Sequence, residues 1–181
     1  ERVCVWGDFD VDGQTSTALL VQTLRDLGAR VDYHIPVRQT ESHGLNLPIL
    51  QEKLDEGVQV LLTCDTGVGE HEPIAHAQAR GVDVVATDHH TLPPALPNAH
   101  ALVNPQLLEK THQLRTLPGV GVAYKLAEAL YARAGRAGDV EAHLDLVALG
   151  IVADVAVQRG DTRHLLQRGL AALRRTARAG L

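Results

Sequence analysis

Five aspartates and two histidines stand at three places where a hydrophobic run gives way to polar residues: GDFDVDG (7–13), CDTG (64–67) and TDHH (87–90). A single Asp after a strand is ordinarily a turn or helix-cap residue. Three such strand ends in one chain are poorly explained that way. Asp8, Asp10 and Asp12 alternate, so an extended segment would point all three the same way, and like charges that close repel unless a cation neutralises them. Carboxylates joined by only one or two imidazoles favour hard or borderline ions such as Mn2+ or Mg2+ over zinc, whose sites prefer Cys and His. Two such ions about 3.5 to 4 Å apart, bridged by a shared carboxylate, activate water and stabilise both oxygens of an in-line phosphoryl transfer. The expected chemistry is metal-dependent hydrolysis of phosphate esters.

Acids from separate runs can meet only if the scaffold brings strand ends together. RVCVWG (2–7) reads as a strand, TSTALLVQTLRDLG (15–28) as a helix with Ala18, Leu19, Val21, Leu24 and Leu27 at helical spacing, and Gly28 as its stop. RVDYHIP (30–36) is a second strand, 37–46 a loop, and 48–56 a helix. VQVLLTCD (58–65) and VDVVATD (82–88) are continuous apolar runs of the kind found in parallel sheets, separated by a helix over 73–80. ALVN (101–104) is a short fifth strand. From Gly119 onward the pattern is helical: 120–134, 139 to about 153, and 163 to the end, where Leu166, Leu170, Leu173 and Ala177 share a face. The expected fold class is α/β: a twisted parallel sheet of about five strands with helices on both faces, followed by a helical C-terminal part. In such a sheet the ligand site lies beyond the carboxyl ends of the strands, where the acids stand.

The chain's 181 residues, 45% of them hydrophobic, suit one well-buried domain. No run approaches the roughly 18 apolar residues of a membrane span and no leader pattern opens the chain, so a soluble, cytoplasmic protein is expected. Cys4 and Cys64 lack zinc-type spacing and read as reduced core residues. The absence of Met, even at position 1, suggests a piece of a longer protein. A net charge of −5 is a poor footprint for gripping nucleic acid by its phosphates alone. His43, His71, His76, His100, His112, His143 and His164 are scattered and read as surface or loop residues. Gly119 and Gly121 could present amides to a phosphate, although tight helix packing explains them better. The arginines at 163, 168, 174, 175 and 178 read as a solvated helix face. Arg38, on the loop after the second strand, is the better phosphate-contact candidate.

In order and spacing, GDFDVDGQTS, CDTG, TDHH and LDLVALGIVADV resemble the four motifs of the DHH phosphoesterase family, over nearly the whole chain. Within it, IPVR, SHGLN, NPQ, LPGVGVAYKLAEAL and VALGIVADVAVQRGDTR are more similar to the bacterial single-strand-specific exonucleases than to the pyrophosphatase or polyphosphatase branches. The resemblance implies that Asp10 and Asp12 each ligate one of two Mn2+ or Mg2+ ions, that Asp65 bridges both, and that His89 and Asp154 complete the second. It also implies that His90 contacts the scissile phosphate while Asp88 orients a histidine. Some branches carry a histidine ligand upstream, where this chain has Trp6 and Asp8, so Asp8 would ligate directly or through water.

The implied activity is 5′ to 3′ degradation of single-stranded DNA in repair and recombination in the bacterial cytoplasm, with no membrane involved. The implied organisation is a catalytic domain over 1–160, with 161–181 starting a helical connector to a C-terminal domain. A single-strand-binding protein or a helicase are further candidate partners. Two alternatives are a phosphatase or phosphodiesterase acting on pyrophosphate, a cyclic dinucleotide or a short oligonucleotide, and a replication scaffold without catalysis. Against the scaffold, every expected ligand position holds an acid or a histidine.

Overall fold

A computed structural model describes residues 1–181. Five strands, β1 (Arg2–Trp6), β2 (Arg30–His34), β3 (Val60–Cys64), β4 (Asp83–Thr87) and β5 (Ala101–Val103), form one sheet in the order β2-β1-β3-β4-β5. All neighbours are parallel. The helices are α1 (Val11–Asp26), α2 (Leu47–Asp55), α3 (His71–Ala79), α4 (Gly119–Arg133), α5 (Leu144–Ala153) and α6 (Gly160–Leu173), with short 3₁₀ turns between some of them. The chain moves from β1 outward to β2 and then returns to place β3 on the other side of β1. The strand order therefore reverses between β1 and β3, where open parallel sheets form their ligand crevice.

Alternation along the strands divides the interior in two. Val3 and Val5 of β1 and Leu62 of β3 pack with Leu19 and Leu20 of α1, Val120 and Ala123 of α4, and Val147 and Ile151 of α5. On the opposite face Cys4, Trp6, Leu61 and Val84 pack with Leu50 and Leu54 of α2 and Ile74 and Ala77 of α3. Both cysteines are buried and free. The sheet is covered on both faces, as the uninterrupted apolar runs of β3 and β4 require. No helix is long and apolar enough to cross a membrane.

Four local expectations are corrected. The first helix begins at Val11, not at Thr15, because Asp10 caps it: its Oδ1 accepts the Gly13 amide at 2.9 Å. Asp8, Asp10 and Asp12 consequently do not alternate along an extended segment, and Asp12 lies in the first helical turn. The expected helix over 139–153 is a 3₁₀ turn, Ala137–His143, followed by α5. In α6 the buried side is Leu165, Leu166 and Gly169, and Leu170 is 41% exposed. Gly169 decides this register: a Cβ there would collide with the Leu144 carbonyl oxygen of α5, so the bare backbone is what lets the helices close. Lastly, His143 is fully buried, its Nε2 3.2 Å from the Tyr131 hydroxyl and 3.3 Å from Thr23 Oγ1. A core histidine has no sequence mark that separates it from a surface one.

Candidate metal centre

Each acid is delivered by a different local device. Asp12 is buried, and its two carboxylate oxygens accept the first amides of α4, Gly119 N–H to Oδ2 at 2.6 Å and Val120 N–H to Oδ1 at 2.8 Å. The positive end of α4 thus holds an acid of the protein itself. Asp65 follows β3 with φ of 61°, a left-handed backbone that a non-glycine residue adopts only under strain. Its Oδ1 is buried without a hydrogen-bond partner. His89 Nε2 lies 3.1 Å from that oxygen, out of line for a hydrogen bond, and 3.8 Å from Asp12 Oδ2. A Cβ at position 119 would stand 2.5 Å from Asp65 Oδ1, so only glycine lets α4 start this close. Asp154 is the residue that ends α5.

Asp88, after β4, is buried and fully engaged. Its Oδ2 accepts the Val68 amide at 2.9 Å, while Oδ1 accepts the amides of His89 and His90 and lies 2.7 Å from His90 Nδ1. Burial pushes its carboxyl up, but the hydrogen bonds from His90 and Val68 outweigh that and hold it below the usual range. The same contact, partly offset by burial, raises the His90 imidazole to about 9. His90 is therefore cationic at neutral pH, and with Nδ1 committed to Asp88 it has Nε2–H free to donate.

Two groups of side chains bring ligand atoms within 4.8 Å of one another: Asp12, His89 and Asp154, and Asp65, His89 and His90. Burial, followed by the charge of Asp65, pushes Asp12 up to about 8. Burial and then the charge of Asp10 push Asp65 up to about 8 as well. Asp154 is raised, first by burial. Buried carboxylates this crowded either keep a proton or share a cation. The unpartnered oxygen of Asp65, beside oxygen and imidazole donors, fits a hard or borderline divalent ion.

Other sequence candidates stand outside both groups. Asp10 serves as the α1 cap, although its charge is among those raising Asp65 and Asp154. Asp8 accepts the Phe9 amide at 2.7 Å through Oδ1, and its Oδ2 lies 3.5 Å from His43 Nδ1. Arg38 places its guanidinium 5.0 Å from the Phe9 ring centroid. Residues that sequence reasoning assigned elsewhere or passed over are the Gly119 and Val120 amides, which hold Asp12 and not a phosphate, and Gly150, whose Cβ would stand 3.0 Å from Asp12 Oδ1. The available signal was glycine at 119 and 150.

Comparison with known proteins shows the family to which the chain belongs. The chain is 40% identical over 191 residues to the single-stranded-DNA-specific exonuclease RecJ of Haemophilus influenzae, covering 100% of this chain and 33% of that protein. It is 38% identical over 182 residues to RecJ of Bacillus subtilis, covering 100% of this chain and 22% of the relative. The chain thus spans a third or less of the length of these curated relatives. Among solved structures, exonuclease RecJ bound to manganese superposes with a TM-score of 0.87 at 38% identity, over 94% of this chain and 43% of the other. RecJ from Thermus thermophilus in complex with Mn2+ gives 0.84 at 35%, over 97% of this chain and 25% of that one. The model for the N-terminal domain of the DHH family matches residues 2–151, a span that takes in all five strands and the Asp65, Asp88 and His89 strand ends, and the chain belongs to that family.

Proposed function

We propose that this chain is the catalytic core of a two-metal phosphodiester hydrolase that degrades single-stranded DNA from its 5′ end. The observation that carries the reading is the buried Asp65 oxygen that has no partner, 3.1 Å from a His89 imidazole that also groups with Asp12 and Asp154. Asp12, His89 and Asp154 would hold one divalent ion, Asp10 would contribute to the second, and Asp65 would serve both. The ions would be Mn2+ or Mg2+. Such ions acidify a water and neutralise charge on phosphoryl oxygens.

The chain's own groups do the rest. The α4 amides keep Asp12 in one orientation, and Asp88 holds the His90 ring so that Nε2–H donates to a phosphate oxygen. Arg38, exposed at the same edge, adds positive charge for the strand's backbone. Asp8 acts on the centre from outside, directly or through water. The names of the relatives support single-stranded DNA as substrate, and a role in repair and recombination in the bacterial cytoplasm is the setting that this reading expects. Residues 161–181 would begin the connector to a C-terminal domain that closes over the strand, and a single-strand-binding protein or a helicase would be the further partners.

The test is Mn2+-dependent release of nucleotides from 5′-labelled single strands by the full-length protein, with Asp65→Ala as control. Loss of release in the variant is expected; equal activity would overturn the reading. Turnover of pyrophosphate or a cyclic dinucleotide without strand degradation would keep the chemistry and replace the substrate.

A further inference from the structure

The segment 35–46 joins β2 to α2 without regular structure and carries Arg38 and His43. A polar twelve-residue loop of this kind is costly to order. Here it is tied near both ends to Trp6 and Gly7, where β1 gives way to the acids. The Gly7 amide donates to the His34 carbonyl oxygen at 3.0 Å, and the Trp6 indole Nε1–H donates to the Gly44 carbonyl oxygen at 3.1 Å. Trp6 is fully buried, with its ring 4.4 Å from that of His34. Between the ties, Glu41 closes the loop on itself. It accepts from His34 Nε2 at 2.6 Å and from the Val37 amide at 3.1 Å, while its own amide donates to the Val37 carbonyl at 2.8 Å. Arg38 and His43 then both meet the Phe9 ring, at 5.0 and 4.8 Å from its centroid, and Phe9 lies in the chain between Asp8 and Asp10.

We propose that Trp6, with His34 and Glu41, is a positioning device that sets the 35–46 loop, and through it Arg38 and His43, at a fixed height beside the acid cluster, so that a strand reaching the metals is guided along that wall. This rests on the reading of the chain as a strand-degrading hydrolase. Filling the core under β1 needs only a large apolar ring. The indole N–H is an additional feature, and a buried N–H must find an acceptor. Its acceptor is the loop. Trp6→Phe keeps the ring and removes the tie, leaving the Gly44 carbonyl without its donor. Glu41→Gln weakens the second closure while keeping its shape.

The experiment uses the full-length protein with Mn2+ and two substrates: a 5′-labelled single strand, and bis(p-nitrophenyl) phosphate, a diester too short to extend from the metals onto the loop. Trp6→Phe and Glu41→Gln are each expected to raise KM for the strand about three- to tenfold, the worth of one buried hydrogen bond. Strand kcat and diester turnover stay unchanged, and amide exchange at Val37 and Glu41 accelerates. Arg38→Ala raises strand KM in the unsubstituted chain but adds little to Trp6→Phe, because the two act through one loop. Equal loss on both substrates, unchanged exchange at Val37 and Glu41, or full additivity of Arg38→Ala overturns the proposal. If Trp6→Phe does not fold, Glu41→Gln decides by the same readouts. Failure of the unsubstituted full-length protein to turn over either substrate overturns the hydrolase reading instead, and the exchange rates still report on the tie.

Discussion

Replacing Asp65 with Asn should make the metal-free protein more stable while abolishing its capacity to gain stability from Mn2+. Asp65 is 2% exposed, and burial followed by the charge of Asp10 lifts its carboxyl from the ordinary 3.8 to about 8. The folded protein therefore keeps a proton that the unfolded chain releases. Below about pH 4 both states hold it and there is no penalty; from about pH 4 to about pH 8 metal-free stability falls as pH rises; above about pH 8 the penalty is complete. A rise of that size is worth at most about 6 kcal/mol, at roughly 1.4 kcal/mol per decade. Part of it is shared with Asp12, which Asp65 itself pushes up, and a buried amide must still find partners. A gain on the order of 2 to 3 kcal/mol at pH 8, vanishing near pH 4, is what should remain. Urea unfolding of chelator-treated protein at pH 4, 6 and 8 measures it, repeated with Mn2+, which should stabilise the unsubstituted chain only. A variant less stable than the parent at pH 8, or a gain independent of pH, would refute the argument that buried like charge dominates this site.

Gly119→Ala places a methyl 2.5 Å from Asp65 Oδ1, so α4 must retreat and the two amides on Asp12 lengthen; Mn2+ affinity by calorimetry should fall at least about tenfold. Asp88→Asn removes the contact that raises His90 to about 9, so the imidazole observed by NMR in metal-free protein should titrate nearer its ordinary 6.5. Arg178→Ala frees Asp145, whose carboxyl is held low: burial pushes it up, but hydrogen bonds from Thr176 and the Leu146 amide, together with the Arg178 charge and hydrogen bond, win. Since a depressed acid contributes stability above its unfolded value and loses it as pH falls, the variant should lose about 1 to 2 kcal/mol at pH 7 and a smaller amount near pH 3, as followed by thermal melts.

The features legible in the sequence are those whose cause is local. Apolar runs ending on Asp65 and Asp88 place two acids at strand ends, because a buried strand must stop where its side chains can no longer all be apolar. Gly28, Gly57 and Gly81 mark helix stops because each adopts a positive φ. Together these specify an α/β sheet with its chemistry along one edge and single out the acids and histidines of 8–12, 65 and 88–90, while Asp154 entered only through the family resemblance; of these the fold groups the ligand atoms of Asp12, Asp65, His89, His90 and Asp154 and leaves Asp8, Asp10 and Asp88 outside. What only the tertiary structure decided depends on residues far apart in the chain. Asp10 and Asp12 look alike in an alternating run, yet one caps a helix in solvent and the other is buried against amides that begin 107 residues later. His143 looks like any other histidine until Tyr131 and Thr23 enclose it. The terminal helix shows an apolar stripe through Leu166 and Leu170, but Gly169 allows an approach to α5 that buries Leu165 beside Leu166 and leaves Leu170 exposed. In each case the local pattern permits two environments, and the choice between them is made by a packing partner that no short window of sequence contains.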